Sequence, residues 1–368
     1  MRQFANNEGI PAGWCNLAHA TWRGAWRKPR LPEMPRRCAN TVRIAGHRAA
    51  CLAGLLAWDL SREFAPTASA ILIAWMLANS EVIVVLSNPS AFAISLAVIG
   101  SWCLLKKRFL WIGMVLFALS LCLKPQDAAP VWCFFLLTGS EFRKRALHTA
   151  LITAALSVPA LLWVWHQSPH WTAELHSNLG FLSAPGGPAD PGPLDPDSEF
   201  VDMQVVFSRI KDVPAFYNTL SYIVGIPLLF VWALLAVGSA RKRSTHALSL
   251  AAVIPLSLLP VYHHFYDTKL LLLCIPGFAQ LWSAGRKMRW LALAFTLAAL
   301  IVTADLPHTV LNRNHLGRLA APFLPSLPVL LAPITLMAMG IFYLWALRRF
   351  SQQSPPDCDD EVVPSHGA

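Results

Sequence analysis

Long apolar runs separated by short polar breaks make up most of the chain from residue 67 onward. A helix that crosses a membrane needs about 20 mainly apolar residues, and fewer where it ends in a polar cavity. The pattern therefore predicts an all-α fold, a polytopic membrane helical bundle of about ten spans. The predicted spans are 67–86, 89–105, 109–123, 127–138, 146–165, 218–239, 246–262, 269–284, 290–304 and 327–347.

The composition agrees with a membrane bundle, since 55% of the residues are hydrophobic and only 14% are charged. An ordinary soluble domain has about 25% charged residues. The formal charge of +10 does not indicate a nucleic-acid partner. The basic residues form short clusters between apolar runs, as in the cytoplasmic loops of membrane proteins, so the predicted partners are membrane lipids. The clusters lie at 106–108, 143–145, 241–243, 286–289 and 348–349.

Alternating the direction of successive spans places every basic cluster on one face of the membrane. The opposite face then carries the concentrated polar residues, at 87–88, 124–127 and 262–269 and in the long loop 166–217. That loop is rich in Gly, Pro and Asp, and it is either a flexible connector or a lid over an active site.

The chain divides into three segments. Residues 1–60 form an atypical basic N-terminal segment, and the apolar stretch 49–58 within it is too short to span a membrane. We expect this segment to be disordered or to result from a mis-assigned start. Residues 61–350 form the multi-span membrane domain. Residues 351–368 contain the acidic sequence DCDDE and are expected to be a disordered cytoplasmic tail.

The stretch PVYHHFYDTKLLLLC at 260–274 concentrates titratable side chains at the end of a predicted span. If it is helical, His263 and His264 lie four and three residues from Asp267, on one helix face. Asp267 can then orient an imidazole. With Lys269 as a further donor, the group could bind a phosphate or assist proton transfer. The alternative is an interfacial belt of aromatic residues and histidines, with the lysine reaching toward water.

A second polar group lies in LKPQDAAPVW at 123–132. Pro125 disfavours helix geometry at Lys124, so the chain should break there. A lysine at a broken helix, on the same face as the histidines, suits a phosphate or another anion. Asp127 either caps the next helix or serves as a general base.

Nucleotide, zinc-protease and hydrolase motifs are absent, since no P-loop, GxGxxG, GxSxG or HExxH pattern occurs. No set of histidines, cysteines and carboxylates has recognised metal-ligand spacing. We therefore predict neither a cofactor nor a metal site.

Three motifs in order, SNPSA, LKPQ and LLPVYHHFYDTKLLLL, carry a resemblance over roughly residues 67–347. In this order and placement they resemble the GT-C membrane glycosyltransferases of the DUF2029 type, glycosyltransferase family 87. The resemblance implies a GT-C-like fold and a multi-pass hexosyltransferase of the bacterial plasma or inner membrane. It implies transfer of a hexose, often mannose, from a polyprenyl-phosphate donor to a lipid or glycan acceptor on the extracytoplasmic face. An inverting mechanism with a carboxylate base, and no nucleotide at the site, is expected.

The resemblance places Lys124 and the pair His263 and His264 near the donor phosphate and sugar. The catalytic aspartate of the family lies in a first extracytoplasmic loop, which this chain does not show. Asp59 lies near that place in the sequence, but on the opposite predicted face. The candidate catalytic residues are Asp127, Asp267 and His264. The candidate substrate-binding residues are Lys124, Gln126, Asn88, Tyr262, His263, Tyr266 and Lys269.

Two alternatives remain open. A lipid or solute transporter would also use broken helices and buried ionisable groups. The atypical N-terminal segment is also compatible with a non-catalytic, truncated relative of the glycosyltransferases.

Overall fold

The computed structural model describes residues 36–79, 89–182, 184, 189–192, 200–304 and 327–353. All structural statements below concern these residues. Two 3-10 helices are present, Arg243–Thr245 and Phe265–Cys274. The α-helices are α1 (Arg36–Ser61), α2 (Pro66–Ala78), α3 (Pro89–Leu105), α4 (Leu110–Leu123), α5 (Pro125–Leu137), α6 (Ser140–Gln167), α7 (Trp171–Leu182), α8 (Met203–Ser208), α9 (Pro214–Gly238), α10 (His246–Ser257), α11 (Ile275–Ser283), α12 (Arg286–Val302) and α13 (Leu327–Gln353).

The described part of the chain is all-α, as the apolar pattern predicts. Its one β-type pairing is an isolated antiparallel bridge between Phe200 and His264. The predicted span 269–284 is divided between a 3-10 helix and α11. Pro276 lies in the first turn of α11, where its fixed φ and missing N–H suit the start of a new helix.

Three of the described helices are long and apolar enough to cross a membrane, namely Ser140–Gln167, Pro214–Gly238 and the Leu330–Gln353 part of α13. Shorter apolar helices include α2, with 13 residues. At 1.5 Å per residue such a helix covers about 20 Å, against about 30 Å for a hydrocarbon core. The structure thus supports membrane association, and the count of about ten spans remains a prediction.

The N-terminal segment differs from the expectation of disorder for residues 1–60. Helix α1 begins at Arg36, in the unit Met1–Arg43, and continues into the unit Ile44–Ala368, while residues 1–35 lie outside the described residues. Within the second unit, a Cβ added to Gly46 would lie 3.7 Å from the Phe92 ring, and Trp102 Nε1 donates to Asp59 (2.9 Å). Helix α1 therefore approaches α3 at residue 46 and again at residue 59. Polar residues between the apolar ones hid this helix from the hydropathy pattern.

The predicted C-terminal tail also begins later than expected. Residues 351–353 belong to the last turn of α13, and residues 354–368 lie outside the described residues.

Helix α10 forms the centre of the core. Every residue from Leu248 to Ser257 is buried, as expected for a helix that is apolar on all sides. Its neighbours are α5, α9, α11, α13 and the 3-10 helix Phe265–Cys274. Glycines allow close approach to α10, because a Cβ at Gly277 would lie 2.5 Å from Ala251 Cβ, and a Cβ at Gly340 would lie 2.5 Å from Leu256 Cδ2.

The basic loops meet at one end of the bundle. Lys107 pairs with Glu141 (2.6 Å), and Arg145 donates to the Leu104 carbonyl (3.2 Å). The Phe142 ring lies 5.6 Å from His246, which connects these loops to the one before α10. Helix α3 has 17 residues and is about 25 Å long, so its start, beside Lys124, lies far from these clusters. The grouping of basic clusters opposite the polar motifs agrees with the alternation of spans.

We expect Gly277→Ala to lower the free energy of unfolding by about 1–3 kcal/mol, because the new methyl group would overlap α10. The melting temperature in detergent measures this. Gly180→Ala is the matched control, since a Cβ there meets no atom within 4 Å, and it should leave the melting temperature unchanged or slightly higher. Equal melting temperatures for the two variants would contradict the close packing of α10 on α11.

Candidate functional site

The helix break at Lys124 positions the site. Helix α4 ends at Leu123, Lys124 is extended (φ −151°, ψ 81°), and α5 begins at Pro125. The proline excludes helix geometry at the residue before it. One residue outside both helices is enough to turn the Lys124 side chain into the bundle, where it is 13% exposed. The predicted break is therefore present.

Lys124 lies between two carboxylates that solvent does not reach. Its Nζ donates to Ser90 Oγ (2.9 Å), lies 3.4 Å from Asp127 Oδ2 and forms a short ion pair with Asp267 Oδ1. Both aspartate side chains are 0% exposed. A buried carboxylate without a cation is strongly destabilising, so Lys124 is first of all the partner of these two groups.

Asp127 also faces His263. Asp127 Oδ1 lies 3.3 Å from His263 Nε2, and both side chains are fully buried. His263 Nδ1 lies 2.8 Å from the Val261 carbonyl, and this contact is favourable when Nδ1 carries a proton. Nε2 then faces a carboxylate favourably only when it too is protonated. Burial opposes that charge, but the contact with the Asp127 carboxylate and its negative charge outweigh burial, so the pKa of His263 is raised above its ordinary value.

The two aspartates differ in their hydrogen bonds. Asp267 Oδ2 accepts from the His264 N–H (3.0 Å), and Oδ1 accepts from Lys124, so both of its oxygens are used. Within the described residues, neither oxygen of Asp127 has a hydrogen bond of good geometry, and its contacts are the two ion pairs above. Such an unsatisfied buried group calls for an explanation, and chemistry is one.

The two histidines face different ways, contrary to the helical reading of this stretch. Residues 261–264 are not helical, and His264 is extended (φ −93°, ψ 167°) before the 3-10 helix. Successive side chains of an extended chain point to opposite sides. His263 therefore faces Asp127, whereas His264 lies in an aromatic group. Its ring stacks on Tyr266 (4.7 Å), lies 4.7 Å from Phe200 and is hydrogen-bonded to the Tyr262 hydroxyl.

The aromatic group forms the half-buried edge of the site. Tyr262, His264 and Tyr266 are all partly exposed. Lys124 Nζ lies 5.0 Å from the centre of the Tyr266 ring, at cation–π distance. Lys124 and this edge are thus the partly exposed portion of the site, while Asp127 and His263 are fully buried.

Asp202 belongs to the site, and the sequence reading missed it. Its side chain is fully buried. Oδ2 accepts from the His263 N–H (3.2 Å) and Oδ1 from the Gln204 N–H (2.8 Å), which caps α8. Burial raises the pKa of Asp202 to about 7, although the His263 and Gln204 N–H groups lower it. An aspartate before a short apolar helix is a capping signal, but several other aspartates in the same loop obscure it.

Three other candidate residues are less closely involved. Gln126 is half-buried in the first turn of α5. Lys269 is 6% exposed and lines a cavity of about 10 Å³ with Asn79 and Thr303, which does not include Lys124. Asn88 lies outside the described residues.

Asp59 lies at the basic end of the bundle. It pairs with Arg62 (3.0 Å) and lies 3.7 Å from Lys106. Its place agrees with the predicted face and separates it from the site.

We refer to Lys124, Asp127, His263 and Asp267 as the charged quartet. With His263 protonated, two positive and two negative charges cancel. The quartet can hold or release a proton at His263. It can accept an anion at Lys124 only if a carboxylate partner is exchanged for it. Across the described residues, no three histidines, cysteines or carboxylates converge as a metal-ligand set.

Comparison of the chain with family models, curated proteins and solved structures finds no match.

We expect Lys124→Met to lower the free energy of unfolding by about 3–5 kcal/mol, because it leaves two buried carboxylates without their cation. Lys124→Met combined with Asp267→Asn should recover part of the loss, since the remaining Asp127 and His263 charges still cancel. Melting temperatures in detergent test both. Lys107→Met is the control, because the Lys107 pair with Glu141 is half-exposed, and it should cost less than about 1 kcal/mol. Equal losses for the two lysines would contradict the burial of the quartet.

Stability should also depend on pH through His263. Its pKa in the folded protein is raised, above about 6.5 in the unfolded chain. The pair with Asp127 therefore stabilises fully below about pH 6.5, and this contribution is lost as the pH rises through the folded value. We expect His263→Asn to flatten the fall in melting temperature as the pH rises above about 6.5. The exposed His148→Asn is the control and should keep the wild-type slope. An unchanged slope in His263→Asn would argue against a protonated His263.

Proposed function

We propose that the chain is a membrane glycosyltransferase of the GT-C type, similar to glycosyltransferase family 87. It moves a hexose, with mannose as the first candidate, from a polyprenyl-phosphate donor to a lipid or glycan acceptor. The observation that carries the proposal is the buried pair of Asp127 and His263 beside Lys124 at a helix break. This places a proton acceptor within reach of a cation that can hold a phosphate.

Asp127 is the favoured general base. A base must have a lone pair free to take the proton of the acceptor hydroxyl. Both oxygens of Asp267 accept hydrogen bonds. Within the described residues, the polar contacts of the Asp127 carboxylate are ion pairs without a hydrogen bond. His263 then holds the Asp127 carboxylate in place, and it is a better candidate for this role than His264, whose ring lies in the aromatic group.

The proposed step balances as a single displacement at the anomeric carbon. The acceptor oxygen forms a bond to that carbon while its proton passes to Asp127. The bond from the carbon to the phosphate oxygen breaks, and its electron pair stays on the phosphate. Lys124 stabilises the charge that develops on the leaving phosphate. To do so it exchanges Asp267 for a phosphate oxygen, and this couples binding of the donor to rearrangement of the quartet.

The membrane topology of the proposal follows from charge. The basic end of the bundle is cytoplasmic by the positive-inside rule, and the quartet lies at the opposite, extracytoplasmic end. Helices too short to cross alone are then parts of broken spans lying against protein, which membranes tolerate. This is the multi-pass bundle of about ten spans in the plasma or inner membrane of a bacterium.

A proton-coupled transporter is the second candidate. Its supporting observation is the quartet itself, since buried ionisable groups at a broken helix also serve coupled transport. A non-catalytic relative would keep the quartet and bind the donor without turnover.

Transfer of radiolabelled hexose into lipid extract, by membranes that contain the chain, separates these possibilities. Transfer from polyprenyl-phosphate mannose or glucose supports the proposal and identifies the sugar. Binding of the donor without transfer indicates the non-catalytic relative. With neither binding nor transfer, proton-driven uptake into vesicles would favour the transporter.

We expect Asp127→Asn to lower the transfer rate by about 10²- to 10⁴-fold, the usual contribution of a general base. Asp59→Asn is the matched control at the opposite end of the bundle and should keep the wild-type rate. Near-normal transfer by Asp127→Asn, with loss in Asp267→Asn, would exchange the roles of the two aspartates.

A further inference from the structure

We propose that Asp202 is a positioning residue for the transfer reaction, one that holds the backbone of His263 so that its imidazole faces Asp127. The inference rests on the proposed function. It assigns a role in catalysis to the end of the long loop 166–217, which the sequence left open as a connector or a lid.

The contacts of Asp202 join two distant segments. Its Oδ1 accepts from the Gln204 N–H, and its Oδ2 accepts from the N–H of His263, which is 61 residues further along the chain. The Val201 N–H donates to the His263 carbonyl (3.0 Å), and the Met203 N–H donates to the Leu259 carbonyl (2.9 Å). Both backbone groups of His263 are thus held by residues 201 and 202.

A helix cap alone does not account for this geometry. Capping α8 needs one side-chain oxygen bonded to an early N–H of the helix, and Oδ1 supplies it. The second oxygen instead holds the residue whose ring lies 3.3 Å from Asp127. Because this backbone is extended, a rotation about His263 would turn its ring out of line with Asp127. A displacement of about 1 Å at a reacting group can lower a rate by about 100-fold.

The effect should fall on the chemical step more than on donor binding. Asp202 acts on His263 and, through it, on Asp127. The closest contacts of Lys124 are with Ser90 and Asp267, neither of which touches Asp202, and its contact with Asp127 is longer (3.4 Å). Loss of Asp202 should therefore lower kcat and leave KM for the donor nearly unchanged.

Asp202→Ser tests this, because serine is also a good helix cap but is too short to reach His263. We expect kcat to fall by about 10- to 100-fold, with KM within about twofold. Asp202→Ala removes both contacts and should also lower the melting temperature. Asp212→Ser, an exposed aspartate of the same loop, is the control and should keep the wild-type kcat. Full activity in Asp202→Ser would reduce Asp202 to a cap and overturn the proposal.

A double-mutant cycle separates positioning from general damage. If Asp202 acts through His263 on Asp127, Asp202→Ser should cause little further loss of kcat in an Asp127→Asn background. Equal losses in both backgrounds would contradict the proposal.

If no donor supports transfer by the wild type, the proposed function fails. The four proteins of the double-mutant cycle, namely the wild type, Asp202→Ser, Asp127→Asn and the double variant, still test whether Asp202 positions His263. Their melting temperatures should be non-additive, because Asp202 and Asp127 share His263 as a neighbour. Additive melting temperatures would overturn the positioning role itself.

Discussion

The ion pairs of the Lys124 ammonium group with two fully buried carboxylates are the interaction on which the site depends. Lys124 is the cation that the buried carboxylates of Asp127 and Asp267 share, and its removal would be strongly destabilising. The start of α3, the break between α4 and α5 and the start of the 3-10 helix must therefore meet at one place. The break and the 3-10 helix are joined by paired charges, and the start of α3 is joined to them by the hydrogen bond from Lys124 to Ser90. Protonation of His263 completes the balance, so that the quartet as a whole is neutral.

The pairing of charges within the quartet limits how strongly an anionic ligand can bind in the proposed mechanism. An anion that binds Lys124 must displace Asp267 from it. The favourable free energy of binding is therefore smaller than it would be at an unpaired lysine. The selectivity for one anion over another then depends on how well that anion reproduces the contacts that the Asp267 carboxylate makes with Lys124. In the proposed mechanism the exchange begins at the half-buried aromatic edge, where Tyr266 lies beside Lys124. The pair of Asp127 and His263 is fully buried behind this edge.

Much of the helix pattern could be predicted, because an apolar run of given length has few alternatives to a helix. The break at Lys124 was also predictable, since a proline restricts the residue before it. The choice between His263 and His264 was not, because helical spacing puts both near Asp267, whereas the chain is extended there. The contact of Asp202 with His263 depends on two loops meeting in space, and no local pattern encodes it. Helix α1 was obscured by the polar residues in its sequence.

The 3-10 helix Phe265–Cys274 is unusually long for its type, at 10 residues. Three residues per turn place side chains in three straight rows, with each residue directly above the third one after it. Asp267, Thr268 and Lys269 are the last polar residues of the three rows, and leucines or Cys274 continue each row. Each row thus changes from polar to apolar at the same depth. The 3-10 helix thus marks the depth at which the polar residues of the site give way to the apolar core.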